Sequence, residues 1–179
     1  MKKIILTAIV TLAVLIGVFL IYISSGSYDI SQTTPHNGLI KWIIRKTTHS
    51  SIDKRMTENE VPANFRDSAQ IMSGFQHYDE MCASCHGAPG IKPWEMAEGL
   101  YPNPPLIFKR KKQEDPQEFF WVIKNGVKMT SMPAYGPTHE DKTLWAITAF
   151  VTEKLNKMSP QEYFELIKKF ESKENVVVE

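Results

Sequence analysis

Cys82 and Cys85 are the only cysteines in the chain, and His86 directly follows the second. Thiols three positions apart on a helix lie about one turn from each other. A disulfide between them would close almost no loop and so stabilise little. Two thiols also cannot complete a four-cysteine zinc site. The spacing suits another chemistry. Thiols one turn apart can add to the two vinyl groups on one edge of a porphyrin, and the next residue then carries an imidazole to the iron beneath the ring. Cys82-Ala83-Ser84-Cys85-His86 therefore reads as an attachment site for one covalent haem c, with His86 as an axial ligand. A thioredoxin-like thiol pair is the rival, but its motif sits in a β–α pattern, and no strand precedes Cys82.

A second axial ligand belongs well downstream, on a segment able to fold over the other face of the ring. Met129, Met132 and His139 are the residues with usable sulfur or nitrogen there. Met132 precedes Pro133 in the irregular stretch Lys128 to Gly136, and a proline keeps such a loop out of a helix. Any single methionine can equally be core filler.

The elements that must hold these groups are helices. Asp67 followed by Gln70 has the form of a capping box. Behind it Ile71, Phe75, Tyr78 and Cys82 recur at the spacing of one helical face, so this helix brings the cysteines to the site. Five prolines and three glycines between Gly87 and Pro105 predict a long structured loop. Asp115-Pro116-Gln117-Glu118 starts a helix that Gly126 stops. A further helix opens near Thr138 to Asp141 and carries Leu144, Ile147, Val151 and Leu155 on one stripe. Ser159-Pro160-Gln161-Glu162 begins another, which runs into the charged tail. No segment reads as a strand, so the expected fold class is all-α.

Ahead of this lies Met1-Lys2-Lys3 and then a charge-free run of 20 residues from Ile4 to Ile23. As a helix that run reaches roughly 30 Å, the thickness of a bilayer core. A cleaved secretory signal has a shorter apolar core and a small-residue cleavage site, which Leu20-Ile21-Tyr22-Ile23 does not lead into. We read an uncleaved anchor, with the two lysines on the cytoplasmic side and the rest exported. After the flexible Ser24-Ser25-Gly26-Ser27, residues 38–48 form an amphipathic pattern: Leu39, Trp42 and Ile43 share a face, Ile40 and Ile44 flank it, and Lys41, Arg45 and Lys46 lie opposite. Such a helix can rest on a membrane surface, on the globular domain or on a membrane partner. The expected organisation is an anchor over 1–23, a membrane-proximal linker over 24–60, a haem domain over 61–156, and a C-terminal helix with charged tail over 157–179.

Together the motifs resemble class I c-type cytochromes, small all-α proteins with one haem. Bacterial members show Tyr-x-x-x-Cys-x-x-Cys-His-Gly, matched here from Tyr78 to Gly87. They also show a Gly-hydrophobic-x-x-Met-Pro-Ala-aromatic-Gly segment, matched in looser form from Gly126 to Gly136. The likeness spans about Gly74 to Leu155. It implies His86 and Met132 as the axial pair, and a crossing of the Cys82 helix with the last domain helix, where Gly74, Phe75 and Tyr78 meet Trp145 and Phe150. It also implies a proline carbonyl that accepts the other N–H of His86, followed by a leucine on the ring. Pro104 and Leu106 in Pro104-Pro105-Leu106 match best, with Pro102 and Pro105 open alternatives for the carbonyl. The prolines of this loop, with Trp94 and Tyr101, depart from many members, and the anchor and the Leu39 helix lie outside the pattern.

The expected function is electron transfer by a membrane-tethered carrier, or by the cytochrome subunit of a respiratory or dehydrogenase complex, with membrane-bound redox proteins as partners. The alternatives are a haem-based ligand sensor or peroxidase-like enzyme with a displaceable methionine, and, more remotely, a scaffold subunit. With 21 Lys+Arg against 20 Asp+Glu, no global charge points to nucleic acid. Lys109-Arg110-Lys111-Lys112 is the densest charge run, and with Lys92, Lys124 and Lys128 it could form a basic collar that steers an acidic partner, or simply solvate a turn. His36, His49 and His77 read as surface residues.

Overall fold

The structure is a computed structural model and describes residues 1–110 and 115–177. Its chain forms two compact units, Met1–Pro35 and His36–Glu179. The first consists of helix α1 (Lys2–Ser24) and an irregular segment. At 23 residues α1 is roughly 35 Å long. Its most apolar 18-residue stretch has a mean hydropathy of 3.0 and none of it is buried, so the helix is long and apolar enough to cross a membrane.

The second unit holds α2 (Gly38–Arg55), α3 (Ser68–Met81), α4 (Ala83–His86), α5 (Glu95–Glu98), α6 (Pro116–Asn125), α7 (Asp141–Glu153) and α8 (Pro160–Val177). No strand occurs among the described residues, and only an isolated bridge pairs Ala88 with Ile91. The protein is all-α.

Helices α3 and α7 form the heart of this unit. At their crossing Gly74 lies against the Ala146 carbonyl, where a Cβ would overlap backbone. That approach lets Phe75 and Tyr78 reach Phe150, with ring centroids 5.5 and 5.6 Å apart. Trp145 turns elsewhere: it stacks on Phe120 of α6 at 4.0 Å and meets Phe65 edge-on at 5.8 Å. The continuous burial of Leu144 to Val151 shows that α7 is enclosed on all sides, beyond the single stripe expected.

Two helix starts follow the sequence pattern and one departs from it. Asp115 accepts from the Gln117 N–H at 2.9 Å. Ser159 and Glu162 form a reciprocal capping box, with bonds of 2.7 Å to the Ser159 N–H and 3.2 Å to the Glu162 N–H. Asp67 makes no such bond. Gln70 is instead buried and donates across the core to the Lys142 carbonyl of α7 at 3.3 Å. A tertiary acceptor has displaced the local one.

The compact unit reaches beyond residues 61–156 in both directions. On the amino-terminal side, α2 runs to Arg55, past the Thr48 limit drawn from the amphipathic pattern. Its covered face is Ile40, Ile44, Thr48, Ser51 and Ile52, one helical stripe ending in a buried isoleucine. The His36 N–H donates to the Tyr101 hydroxyl at 3.2 Å just before the helix, and the Gln117 amide donates to the Asn59 carbonyl at 2.6 Å just after it. On the other side, α8 sends Tyr163 and Phe170 against Phe75, at 5.2 and 5.3 Å. The Tyr163 hydroxyl donates to Asp79 at 2.8 Å.

The α3–α7 approach can be tested. Gly74→Ala should cost about 1–3 kcal/mol or more, because backbone atoms cannot move aside as a side-chain tip can. Gly99→Ala, where a Cβ meets nothing closer than 3.7 Å, should change stability by less than about 0.5 kcal/mol. Denaturant midpoints of the two variants make the comparison.

Candidate haem site

Cys82 ends α3, and its N–H still donates to the Tyr78 carbonyl at 2.9 Å. The chain then re-forms a single helical turn, α4, which places Cys85 and His86. Both return bonds to the Cys82 carbonyl, at 3.1 and 2.9 Å. Gly87 stops the turn with φ 65°. Two tyrosines fasten this corner. The buried Tyr78 hydroxyl donates to the Gly87 carbonyl at 2.7 Å, and the Tyr135 hydroxyl donates to the Met81 carbonyl at 3.2 Å.

A cleft of about 280 Å³ opens beside the corner. Cys82, Cys85 and His86 line it together with Met132, Pro104 and Pro105. The rest of the wall is mainly apolar, including Phe119, Val122, Ile123, Val127, Ile147 and Val151. Such a pocket, apolar with a few converging polar groups, is of the kind that binds a large organic group. Among the described residues no three His, Cys, Asp or Glu side chains gather as for a bare metal ion. One imidazole, one thioether and two thiols in an apolar cleft fit haem iron instead.

The carbonyl that meets His86 is not that of Pro104. His86 Nδ1 lies 2.9 Å from the Pro105 oxygen. Because a carbonyl only accepts, Nδ1 carries the proton and the Nε2 lone pair is left for a metal. Leu106, expected on the ring, is not among the residues that line the cleft, whereas Leu100 and Ile107 are. Directly after Leu106 the chain tightens into a 3-10 turn over Ile107–Lys109, and it is Ile107 that this turn presents to the cleft. Burial pulls the His86 pKa below its ordinary value, and the Arg110 charge adds to that against the opposing effect of the Pro105 bond. Burial, with Cys85 nearby, pushes the Cys82 thiol up to about 12.

Met132 reaches the cleft from the loop after α6. That loop folds back on the helix end: the Val127 N–H donates to the Met132 carbonyl at 3.3 Å, and the Tyr135 and Gly136 N–H groups donate to Ile123 and Lys124 at 3.1 and 2.9 Å. The Thr130 hydroxyl accepts from the Met132 N–H at 3.1 Å. Gly126 permits the fold, having φ 65° and backbone of the Met132 segment 2.8 Å from where a Cβ would sit. Met129 is 67% exposed, and neither it nor His139 lines the cleft.

Two lining residues come from outside the 61–156 segment expected to hold the haem. His49 and Ile52 of α2 stand at the cleft, and the 40/44/48/52 stripe, followed past Thr48, was the available signal. Of the basic residues, Arg110 lines the cleft and Lys124 pairs with Asp141 at 2.8 Å. Lys92, Lys109 and Lys128 are exposed, while Lys111 and Lys112 lie outside the described residues.

Neither curated proteins nor solved structures include a match to the chain. Residues 69–151, from the first turn of α3 almost to the end of α7, match the family model of cytochrome c oxidase, cbb3-type, subunit III. This segment is a class I c-type cytochrome domain. The cytochrome domain carries covalent haem c, and its activity is electron transfer. Its α3–α4 corner is accordingly the part whose rigidity matters most for the haem.

That rigidity rests on two tyrosine hydroxyls, one buried and one half-buried. Tyr78→Phe should lower stability by about 1–3 kcal/mol, because it strands the Gly87 carbonyl. Tyr135→Phe, with a longer bond in a half-buried setting, should cost no more than about 1 kcal/mol. Chemical denaturation of the haem-loaded proteins reads both, with haem stoichiometry unchanged in each.

Proposed function

We propose that this chain is a membrane-tethered electron carrier, or the cytochrome subunit of a respiratory complex, with haem c joined to Cys82 and Cys85 and ligated by His86 and Met132. The observation that carries this is the convergence of Cys82, Cys85, His86 and Met132 on one apolar cleft. Bound there, haem c supplies a one-electron iron couple. The residues do the remaining work. The Pro105 carbonyl orients His86, the hydrogen-bonded loop holds Met132, and the apolar wall excludes water. A histidine and a methionine on the iron leave no position for a substrate, which suits outer-sphere transfer over catalysis, and the methionine raises the potential.

The tether is α1, with Lys2 and Lys3 before it favouring an extracytoplasmic haem domain. Confinement to the membrane raises the effective concentration of the domain near membrane-bound redox partners. The family matched by residues 69–151 is named for a subunit of a cbb3-type oxidase, which supports a place beside other respiratory subunits.

Acid–acetone extraction should leave haem on the denatured wild-type chain, and the pair Cys82→Ala and Cys85→Ala should release all of it. Met132→Ala should abolish the weak red absorption band that methionine sulfur gives ferric haem, and should lower the potential. Met129→Ala should leave both unchanged. Carbon monoxide added to the reduced wild type should not alter its spectrum; a prompt shift would favour the ligand-sensing alternative.

A further inference from the structure

Helix α2 has two apolar faces, and the protein uses only one. Ile40, Ile44, Thr48 and Ile52 are turned to the domain. Leu39, Trp42 and Ile43, at i, i+3 and i+4, point the other way and are 66%, 64% and 48% exposed. A Trp, a Leu and an Ile side by side in water form a patch that globular surfaces rarely leave uncovered.

Two further observations indicate what covers it. Only 13 residues separate the last residue of α1 from the first of α2, a tether of about 45 Å at full stretch. Part of that reach is taken up by a turn in which Asp29 accepts from the Ser31 N–H at 2.8 Å and the Thr34 hydroxyl at 2.6 Å. The charge of α2 is also one-sided: Lys41, Arg45, Lys46, Lys54 and Arg55 against Asp53 alone. Lys41 and Arg45 lie opposite the stripe, but Lys46, at i+7 from Leu39 and i+3 from Ile43, does not share that expected place. It continues the stripe by one turn, where its long stem can lie along apolar surface with the ammonium at headgroup level. Apolar stripe, tryptophan and surrounding basic residues are the composition of a helix that lies in a membrane interface.

We propose that the first two turns of α2 dock into the surface of an anionic lipid bilayer through Leu39, Trp42 and Ile43. The inference rests on α1 being a membrane anchor, as argued above. It goes further, because the last turns of the same helix bring His49 and Ile52 to the haem cleft, and the His36–Tyr101 bond fastens its start. A helix fixed to the domain at both ends and docked on lipid sets the orientation of the cleft relative to the membrane. The domain is thereby held in one pose, ready for a partner embedded in the same bilayer.

The test uses the full-length haem-loaded protein, whose native thiols are consumed by the haem. Leu39→Cys and Ile43→Cys, both surface changes, are reconstituted in nanodiscs containing phosphatidylglycerol and no other protein, and treated with a sulfonated, membrane-impermeant maleimide. Glu165→Cys on the exposed side of α8 gives the water-exposed rate, and Leu12→Cys in α1 reports the anchor. The expected result is labelling of positions 39 and 43 at least about tenfold slower than position 165. Joint replacement of Lys41, Arg45 and Lys46 by Gln should restore part of that rate. Fast labelling at 39 and 43 with position 12 protected overturns the lipid docking and leaves the anchor standing. Fast labelling at position 12 overturns the anchor itself, and the docking with it. Protection at 39 and 43 only in native membranes, absent from pure lipid, also overturns the proposal and identifies a protein as the occupant.

Discussion

The near-contact of two backbones, Gly74 of α3 against Ala146 of α7, is the constraint on which the rest of the domain depends. Side chains normally hold helix axes 8–10 Å apart. Removing one at the crossing lets α3 settle onto α7, and the aromatic rings on either side close around the contact. Phe75 and Tyr78 then meet Phe150, while Trp145, on the flank, is freed to stack on Phe120 and hold α6. Because α3 ends at Cys82 and α6 leads into the Met132 loop, this single approach sets the spacing of the groups that line the cleft.

Around that frame the cleft is assembled by hydrogen bonds from backbone carbonyls and amides more than by charged side chains. Pro105 aims the imidazole, Tyr78 and Tyr135 pin the corner between α3 and α4, and the end of α6 receives the Met132 loop through three backbone bonds. The polar groups of the cleft are fixed before any cofactor chemistry begins, the condition under which reorganisation on electron transfer stays small.

What could be read from the sequence divides along physical lines. Elements set by local pattern were legible: the helices, the Asp115 and Ser159 caps, and the thiol spacing that names its own chemistry. Choices decided by three-dimensional competition were not. Asp67 and Gln70 have the letters of a capping box, but Gln70 found a buried carbonyl on α7. Pro104 and Pro105 are indistinguishable in sequence, and only the path of the loop brings the second to His86. Leu106 gives way at the cleft wall to Ile107, where the chain tightens into a 3-10 turn. The basic amphipathic pattern at 38–48 announced one apolar face, and the structure has two, because a stripe that packs on a domain and one that stays exposed look alike in a helical projection. For the sixth ligand the sequence narrowed the field to three side chains, and exposure of Met129 separates two of them.

Helix α8 carries a consequence for how the polypeptide must be handled, by the cell or by the experimenter. Tyr163 and Phe170 close the side of Phe75 that α7 does not reach, although both lie beyond the stretch recognised as a cytochrome domain. The minimal excisable fragment is therefore longer than the family boundary. A piece cut after Asn156 would bare Phe75 and leave Asp79 without its phenol. During synthesis the same geometry means that the aromatic interior cannot be sealed until residue 170 has left the ribosome. The early, cysteine-bearing half therefore waits, partly open, for the last helix to arrive.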